Sequence, residues 1–511
     1  MFGKMKKWLA IIAACLFAVC SFGCLIGCGG GSDAKKGELL IRYFQGGYGD
    51  QWLRNAAKKF EKRHEGVTVR LEGDTQIGDL MVNQLSTGKN LADIYIPNEA
   101  NWHEFVSHGY LASLDDVFDA EVTLKNGENI KVKDYMLDDL SDRCYASRYE
   151  GAKVHPYIMP LGFQQTGIVY NEDILLATEH TTAKAGASGW SIGDKWTAPP
   201  ETVEDLIAYC TDLNARSITP LAFPGLENMW LQRLMYGWWG QYQGAYELNT
   251  ANNDVTANEG TYFDFWNYKS AEVFNQAGIR AAIDAFQKVF VDLDKSIYKN
   301  VSQSVMTYSV QDAERVFAEQ KCAMVVCGSF IYNELGTLRD SNNDGNDDFT
   351  MKMMHLPFVT GAQCDTDGNP IRMNFYNCED MMFIPKDATN LDLAKEFFVL
   401  LAEEESLVDF TECSGTLRPY KYNPNLNGFS YSPFAQSTIT NYNETEVKLI
   451  RYPSGVALEE VSPIYSYVEP KWDDANKYFV SALTNKSASN ILKTIYDGAK
   501  GEWATWQLKA S

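Results

Sequence analysis

The sequence predicts an α/β fold built as two interwoven lobes, and three observations carry that prediction. From Glu38 the pattern runs strand, glycine loop, helix, strand: Leu39–Phe44, Gln45-Gly46-Gly47-Tyr48-Gly49, Gln51–Arg63 and Val67–Leu71. This βαβ opening specifies a sheet flanked by helices. The alternation then continues, while no fixed-period repeat and no Pro-rich or single-sign linker divides the chain, so lobes threaded by crossing strands fit better than separate beads. The 511 residues suffice for two large domains, or three of about 150 residues.

The later elements follow the same logic. Ile77–Leu85 has helical spacing, Ala92–Ile96 reads as a short strand, and Asn101–His108 as a helix leading to Tyr110–Asp116. Val154–Tyr170 is β-rich. Thr178–Lys195, rich in Gly, Ser, Ala and Thr, reads as a surface loop before a helix whose start, Thr202-Val203-Glu204-Asp205, fits a capping box. In Met229–Trp239 the residues Trp230, Leu231, Leu234, Met235 and Trp238 form a buried helical stripe. Ala281–Leu293, Gln311–Glu319, Phe330–Leu338 and Leu391–Glu403 read as helices; Cys322–Cys327, Met351–Leu356 and Met381–Ile384 read as strands.

The first residues are an address rather than structure. Lys4, Lys6 and Lys7 precede an apolar run from Trp8 to Val19, and the segment closes on Leu25-Ile26-Gly27-Cys28. Those four residues resemble a bacterial lipobox, which implies cleavage after residue 27, lipidation of Cys28, and a flexible tether over residues 28–37. A second candidate, Ser21-Phe22-Gly23-Cys24, has Ser where the motif wants Leu. An uncleaved anchor is the alternative, because Trp8–Gly27 is long enough to span a bilayer. Either way the basic residues stay cytoplasmic and the body is held on the extracytoplasmic face of the cell membrane.

Composition excludes several classes. Hydrophobic residues make up 45% and charged residues 22%, which argues against disorder and against a polytopic membrane protein. Net charge is −22 with a pI near 4.8, so the long-range field repels phosphate backbones and nucleic acid is not an expected partner. Seven cysteines follow the leader segment: Cys144, Cys210, Cys322, Cys327, Cys364, Cys378 and Cys413. Their odd number and scattered spacing favour buried free thiols over a disulfide framework or a metal site, although Cys364 and Cys378 flank a turn and are near enough in sequence to bridge.

No catalytic constellation is legible. His103 and His108 are five residues apart, about 140° around a helix, and cannot share one zinc ion. Trp52 stands where a dinucleotide fingerprint has its third glycine. There is no Gly-x-Ser-x-Gly elbow. Paired carboxylates such as Asp115/Asp116, Glu379/Asp380 and Glu459/Glu460 keep a membrane-anchored glycosidase open, because such pairs are defined in space rather than in sequence.

Asp340-Ser341-Asn342-Asn343-Asp344-Gly345 matches the first half of a calcium loop, with Asp340, Asn342 and Asp344 as ligand candidates, but position twelve is Met351 rather than Glu. A polar turn accounts for the same residues and is the favoured reading. Any ion there would be structural, and no other cofactor is expected. The 12 Trp and 28 Tyr are the remaining excess. Sugar rings lay apolar C–H faces on aromatic faces, while their hydroxyls need planar amide, carboxylate or guanidinium partners.

Several segments together resemble one family. They are Leu91-Ala92-Asp93-Ile94 with Gly109–Asp115; Met159-Pro160 with Gly167–Asn171; Thr202–Leu206; Phe317–Met324 leading into Gly328-Ser329-Phe330; and Ala394–Phe398 with Gly415-Thr416-Leu417-Arg418-Pro419. In this order, over most of residues 38–505, the chain resembles the large sugar-binding family among the extracellular solute-binding proteins of bacterial ABC importers.

The resemblance implies a two-lobed periplasmic-binding-protein-like fold of type II, with a ligand cleft between lobes joined by crossing strands. It implies no enzymatic activity, a monomer, and a carbohydrate ligand, oligosaccharide in size, delivered to permease subunits. The expected lobes are residues 38–160 with 358–414, and residues 161–357 with 415–511. The same fold carrying a polyamine or peptide stands as the alternative cargo.

Ligand contacts in such a fold come from loops at the carboxyl ends of strands. That places bets on Gln45 and Tyr48 after the first strand, and on Asn98, Glu99 and Trp102 after the third. Phe163 and Gln164 lie near the first crossing and Trp230 before the large helix. Ser329 and Phe330 open a helix, Tyr376, Asn377, Glu379 and Asp380 fill a turn, and Arg418 lies nearby. Two departures from the family pattern stand out. Phe330 replaces a stacking Trp, and Gln320 occupies a usual glycine position, which is expected to alter the turn before the next strand.

Overall fold

The structure is a computed structural model that describes residues 35–510 apart from 99, 138–139, 150, 187, 228, 246–259, 267–269, 426–427 and 452–481. The leader, the lipidation candidate Cys28 and the tether up to residue 34 lie outside the described residues. No helix among the described residues is long and apolar enough to cross a membrane.

The first lobe forms around β1 (Glu38–Phe44), α1 (Gln51–Arg63), β2 (Thr68–Asp74), α2 (Ile77–Thr87), β3 (Ile94–Ile96) and α3 (Trp102–Ser107). The strands make a parallel sheet ordered β2-β1-β3. β1 is central, and its run Leu39-Leu40-Ile41 is buried, as a strand covered on both faces requires. Its buried charged member, Arg42, is 2% exposed and is satisfied by Glu72 at 2.8 Å, Gln84 at 2.8 Å and the Asn90 carbonyl. The Asp93 carboxylate accepts from the Leu40 and Asn390 backbone N–H groups at 2.9 and 2.8 Å, so this motif residue fastens the edge of the sheet to a distant segment.

The chain leaves this lobe after β4 (Met159–Pro160) and enters a larger sheet with β5 (Gln164–Asn171). There follow α4 (Val203–Ala215), β6 (Thr219–Ala222), α5 (Met229–Gln243), α6 (Ala277–Phe290), α7 (Val310–Ala318) and β7 (Cys322–Gly328). Next come the short helix α8 (Ile331–Glu334), β8 (Met351–Met353) and β9 (Met373–Asn377). The chain then returns through β10 (Met381–Met382), α9 (Leu391–Leu401) and α10 (Glu404–Ser414), and crosses again to β11 (Val447–Arg451) and α11 (Ala488–Ala510). The second sheet is ordered β6-β7-β5-β9-β11, with β8 also on β5. β5, buried along its whole length, runs antiparallel to β7 and β9.

Residues 358–377 therefore belong to the second lobe, not to the first as the sequence-based boundary had it. Phe358 bonds Glu201, and β9 is an inner strand of the second sheet. The return to the first lobe falls at Cys378–Asp380, followed by pairing of β10 with β4. Three crossings thus lie side by side: Leu161–Phe163, Cys378–Asp380 and Gly415–Leu417. They are joined by Leu161 N–H to Asp380 O at 2.9 Å and Phe163 N–H to Leu417 O at 2.8 Å.

Local chemistry agrees with most sequence expectations. Thr202 caps α4 through the Asp205 N–H. In α5 the expected stripe is buried, but so are Gln232, Arg233 and Trp239, because the helix is packed on all sides. Gln320 adopts φ 54° and keeps the turn that glycine usually makes, with Gln320 N–H to Phe317 O at 2.8 Å and Lys321 N–H to Val316 O at 3.0 Å. The turn is not altered; the side chain is held in the left-handed region instead. The seven cysteines are free thiols, Cys364 and Cys378 included.

Asp340 accepts from the backbone N–H groups of Asp344 and Gly345 at 2.9 and 2.8 Å, and Asp344 from that of Asn346 at 2.9 Å. Those are turn bonds. Among the described residues no group of three or more His, Cys, Asp or Glu is placed to hold a metal ion.

Candidate ligand-binding site

A cavity of about 770 Å³ opens where the two sheets face each other. Its walls come from the carboxyl ends of β1, β3, β7 and β9, where loops leave the sheets. β5 contributes its first residue instead, because it runs antiparallel: Gln164 lies opposite Asn377, the last residue of β9.

The first lobe supplies the glycine loop. Gly47 and Gly49 both have positive φ, 52° and 65°, and a Cβ on Gly49 would stand 3.2 Å from Asn333 of the second lobe. This close approach carries two bonds between lobes: the Gly47 N–H to Glu334 Oε1 at 3.0 Å, and Asn333 Nδ2 to the Tyr48 carbonyl at 3.0 Å. The loop turns Tyr48 inward, where its hydroxyl donates to the Asp380 carboxylate. Gln164 Nε2 donates to both of these residues. Gly162 makes the arrangement possible, since a Cβ there would collide with the Tyr48 hydroxyl at 2.1 Å.

The second lobe supplies aromatic faces. Trp230 and Phe330 meet edge to face at 5.5 Å, and the Arg233 guanidinium, one turn along α5, lies 5.0 Å over the Trp230 ring while reaching Glu379 at 3.3 Å. Four polar atoms of residues that line the cavity are buried without a hydrogen-bond partner among the described residues: Gln164 Oε1, Asn377 Oδ1, Trp230 Nε1 and Arg233 Nε. Two accept and two donate. Buried polar atoms without partners are rare, because each costs about 1–3 kcal/mol.

The carboxyl groups near the cavity are perturbed by burial. Burial pushes Asp380 up to about 6, against the pull of the Tyr48 and Gln164 donors. Burial and the neighbouring Glu334 charge push Glu314 up to about 9, and burial raises Glu334 as well.

Of the residues singled out from sequence, Tyr48, Asn98, Gln164, Trp230, Phe330, Asn377, Glu379 and Asp380 line the cavity. Six others do not. Gln45 is exposed, its N–H bonded to Asp74 O. Trp102 is buried in the first lobe, and the cavity is reached instead by Asn101, Glu104 and Phe105 of the same segment. Phe163 and Tyr376 stack on each other at 4.6 Å and 10°, facing away because side chains alternate along a strand and their neighbours Gln164 and Asn377 take the cavity side. Ser329 accepts from the Thr416 hydroxyl at 2.9 Å. Arg418 is buried at the crossings, bonded to Pro160 O at 3.2 Å and lying over Phe410 and Tyr420. Glu99 lies outside the described residues. Sequence reasoning missed Tyr43, Phe44, Glu227, Arg233 and Glu334; the helical spacing Trp230/Arg233 and Phe330/Glu334 was the available signal.

Residues 46–407 match the model of the bacterial extracellular solute-binding proteins. This chain belongs to that family. No curated protein sequence matches it. Among solved structures, RafE from Streptococcus pneumoniae in its apo form aligns with TM-score 0.57 at 12% identity, covering 94% of this chain and 100% of that one. A chain described in work on xylan utilization by Caldanaerobius polysaccharolyticus gives 0.58 at 15%, covering 90% and 99%. A chitin oligosaccharide binding protein gives 0.56 at 14%, covering 92% and 99%. At such identity the likeness is one of fold: the two-lobed α/β architecture of periplasmic-binding-protein-like folds.

Proposed function

We propose that this solute-binding protein captures a carbohydrate of oligosaccharide size and passes it, unreacted, to the permease subunits of an ABC importer. The observation that carries the reading is the pairing of the Trp230 and Phe330 faces with four partnerless buried atoms, two donors and two acceptors. Hydroxyl groups both donate and accept, so a sugar satisfies all four while its C–H face covers the rings. The cavity of about 770 Å³ lies within the range of small-molecule sites. Raffinose is the ligand in a RafE complex of the same fold, which supports the same class of cargo. Attachment to the outer face of the membrane through Cys28 rests on Leu25–Cys28 in the sequence. A thermal-shift and calorimetric screen over neutral and charged oligosaccharides, polyamines and peptides tests the proposal. Saturable binding of a glycan without hydrolysis is expected; hydrolysis products, or binding of peptides alone, would overturn it.

A further inference from the structure

We propose that the glycan recognised in this cavity bears free, protonated amino groups; this inference rests on the carbohydrate reading and narrows it. Five acidic side chains line the wall, Glu104, Glu227, Glu334, Glu379 and Asp380, while among the described lining residues Arg233 is the one cation and there is no lysine. Arg233 is already committed to Glu379 at 3.3 Å. A concave wall of one sign, closed by low-dielectric material, focuses its field on the guest.

A second observation points the same way. Gln164 Oε1 and Asn377 Oδ1 are acceptors, 6% and 4% exposed as residues, with no donor among the described residues. An ammonium group offers three donors and no acceptor, which suits amide oxygens set among carboxylates. The Trp230 and Phe330 faces beside them attract a cation through their ring quadrupoles.

The test compares three tetrasaccharides of similar shape by calorimetry at neutral pH and low salt: β-1,4-glucosamine, its N-acetylated form and the neutral glucose polymer. The free amine is expected to bind at least tenfold tighter than either of the others. That preference should shrink as salt is added to the unsubstituted protein, and the ratio should fall in Glu104→Gln and Glu227→Gln variants. Equal or tighter binding of the N-acetylated or neutral glycan overturns the inference while leaving the carbohydrate reading intact. Spermidine serves as a cation without sugar rings; if it binds and no glycan does, the carbohydrate reading itself fails.

Discussion

The hydroxyl of Tyr48, carried by the glycine loop of the first lobe, donates to the carboxylate of Asp380 on the return crossing between lobes. This bond ties the floor of the cavity to the strands about which the lobes would move, because Asp380 also accepts the Leu161 N–H through its backbone.

Tyr48→Phe should destabilise the protein by about 1–3 kcal/mol, since it removes a donor from a buried carboxylate while keeping the ring against Phe410. Urea unfolding of the variant measures it. A change within error would mean that the bond contributes nothing in solution.

Asp380 also sets a pH dependence. Its carboxyl titrates near 6 when folded, against an ordinary 3.8. Between these values the folded chain holds a proton that the unfolded chain has released, so this group lowers stability as pH rises through the window and has no further effect above it. Asp380→Asn should therefore gain stability relative to the unsubstituted protein on going from below 3.8 to above 6. Paired urea titrations at both ends give the difference; a constant gap would contradict the assignment.

Trp230→Ala should weaken glycan binding by about 1.5–3 kcal/mol, tenfold or more, through loss of the ring face. Calorimetry against the best ligand of the screen reads this directly. An unchanged affinity would remove Trp230 from the proposed site.

Asn333→Ala should favour separation of the lobes. Asn333 Nδ2 donates to the carbonyls of Tyr48 and Cys413, both at 3.0 Å, and its loss leaves two acceptors to seek water. We expect a larger radius of gyration by small-angle scattering and faster ligand release. Identical scattering curves would show that these bonds do not hold the lobes together.

Gln320→Gly should stabilise the chain by about 1 kcal/mol, because φ 54° costs a non-glycine residue about that much. A thermal melt suffices, and a lower melting temperature would argue against the left-handed assignment.

The sequence by itself determined the βαβ opening, the order of the main helices and strands, the family resemblance and eight of the residues that line the cavity. These are consequences of local periodicity, turn residues and strand ends, all of which are written within short windows of sequence. Only the tertiary structure decided which of two adjacent residues faces the ligand side. Gln164 and Asn377 reach the cavity while Phe163 and Tyr376 stack behind it, because strand parity is fixed by pairing partners far away in the chain. The late return crossing at Cys378–Asp380 and the meeting of Glu334 with Gly47 were invisible for the same reason: long-range register depends on packing between segments that no local pattern connects.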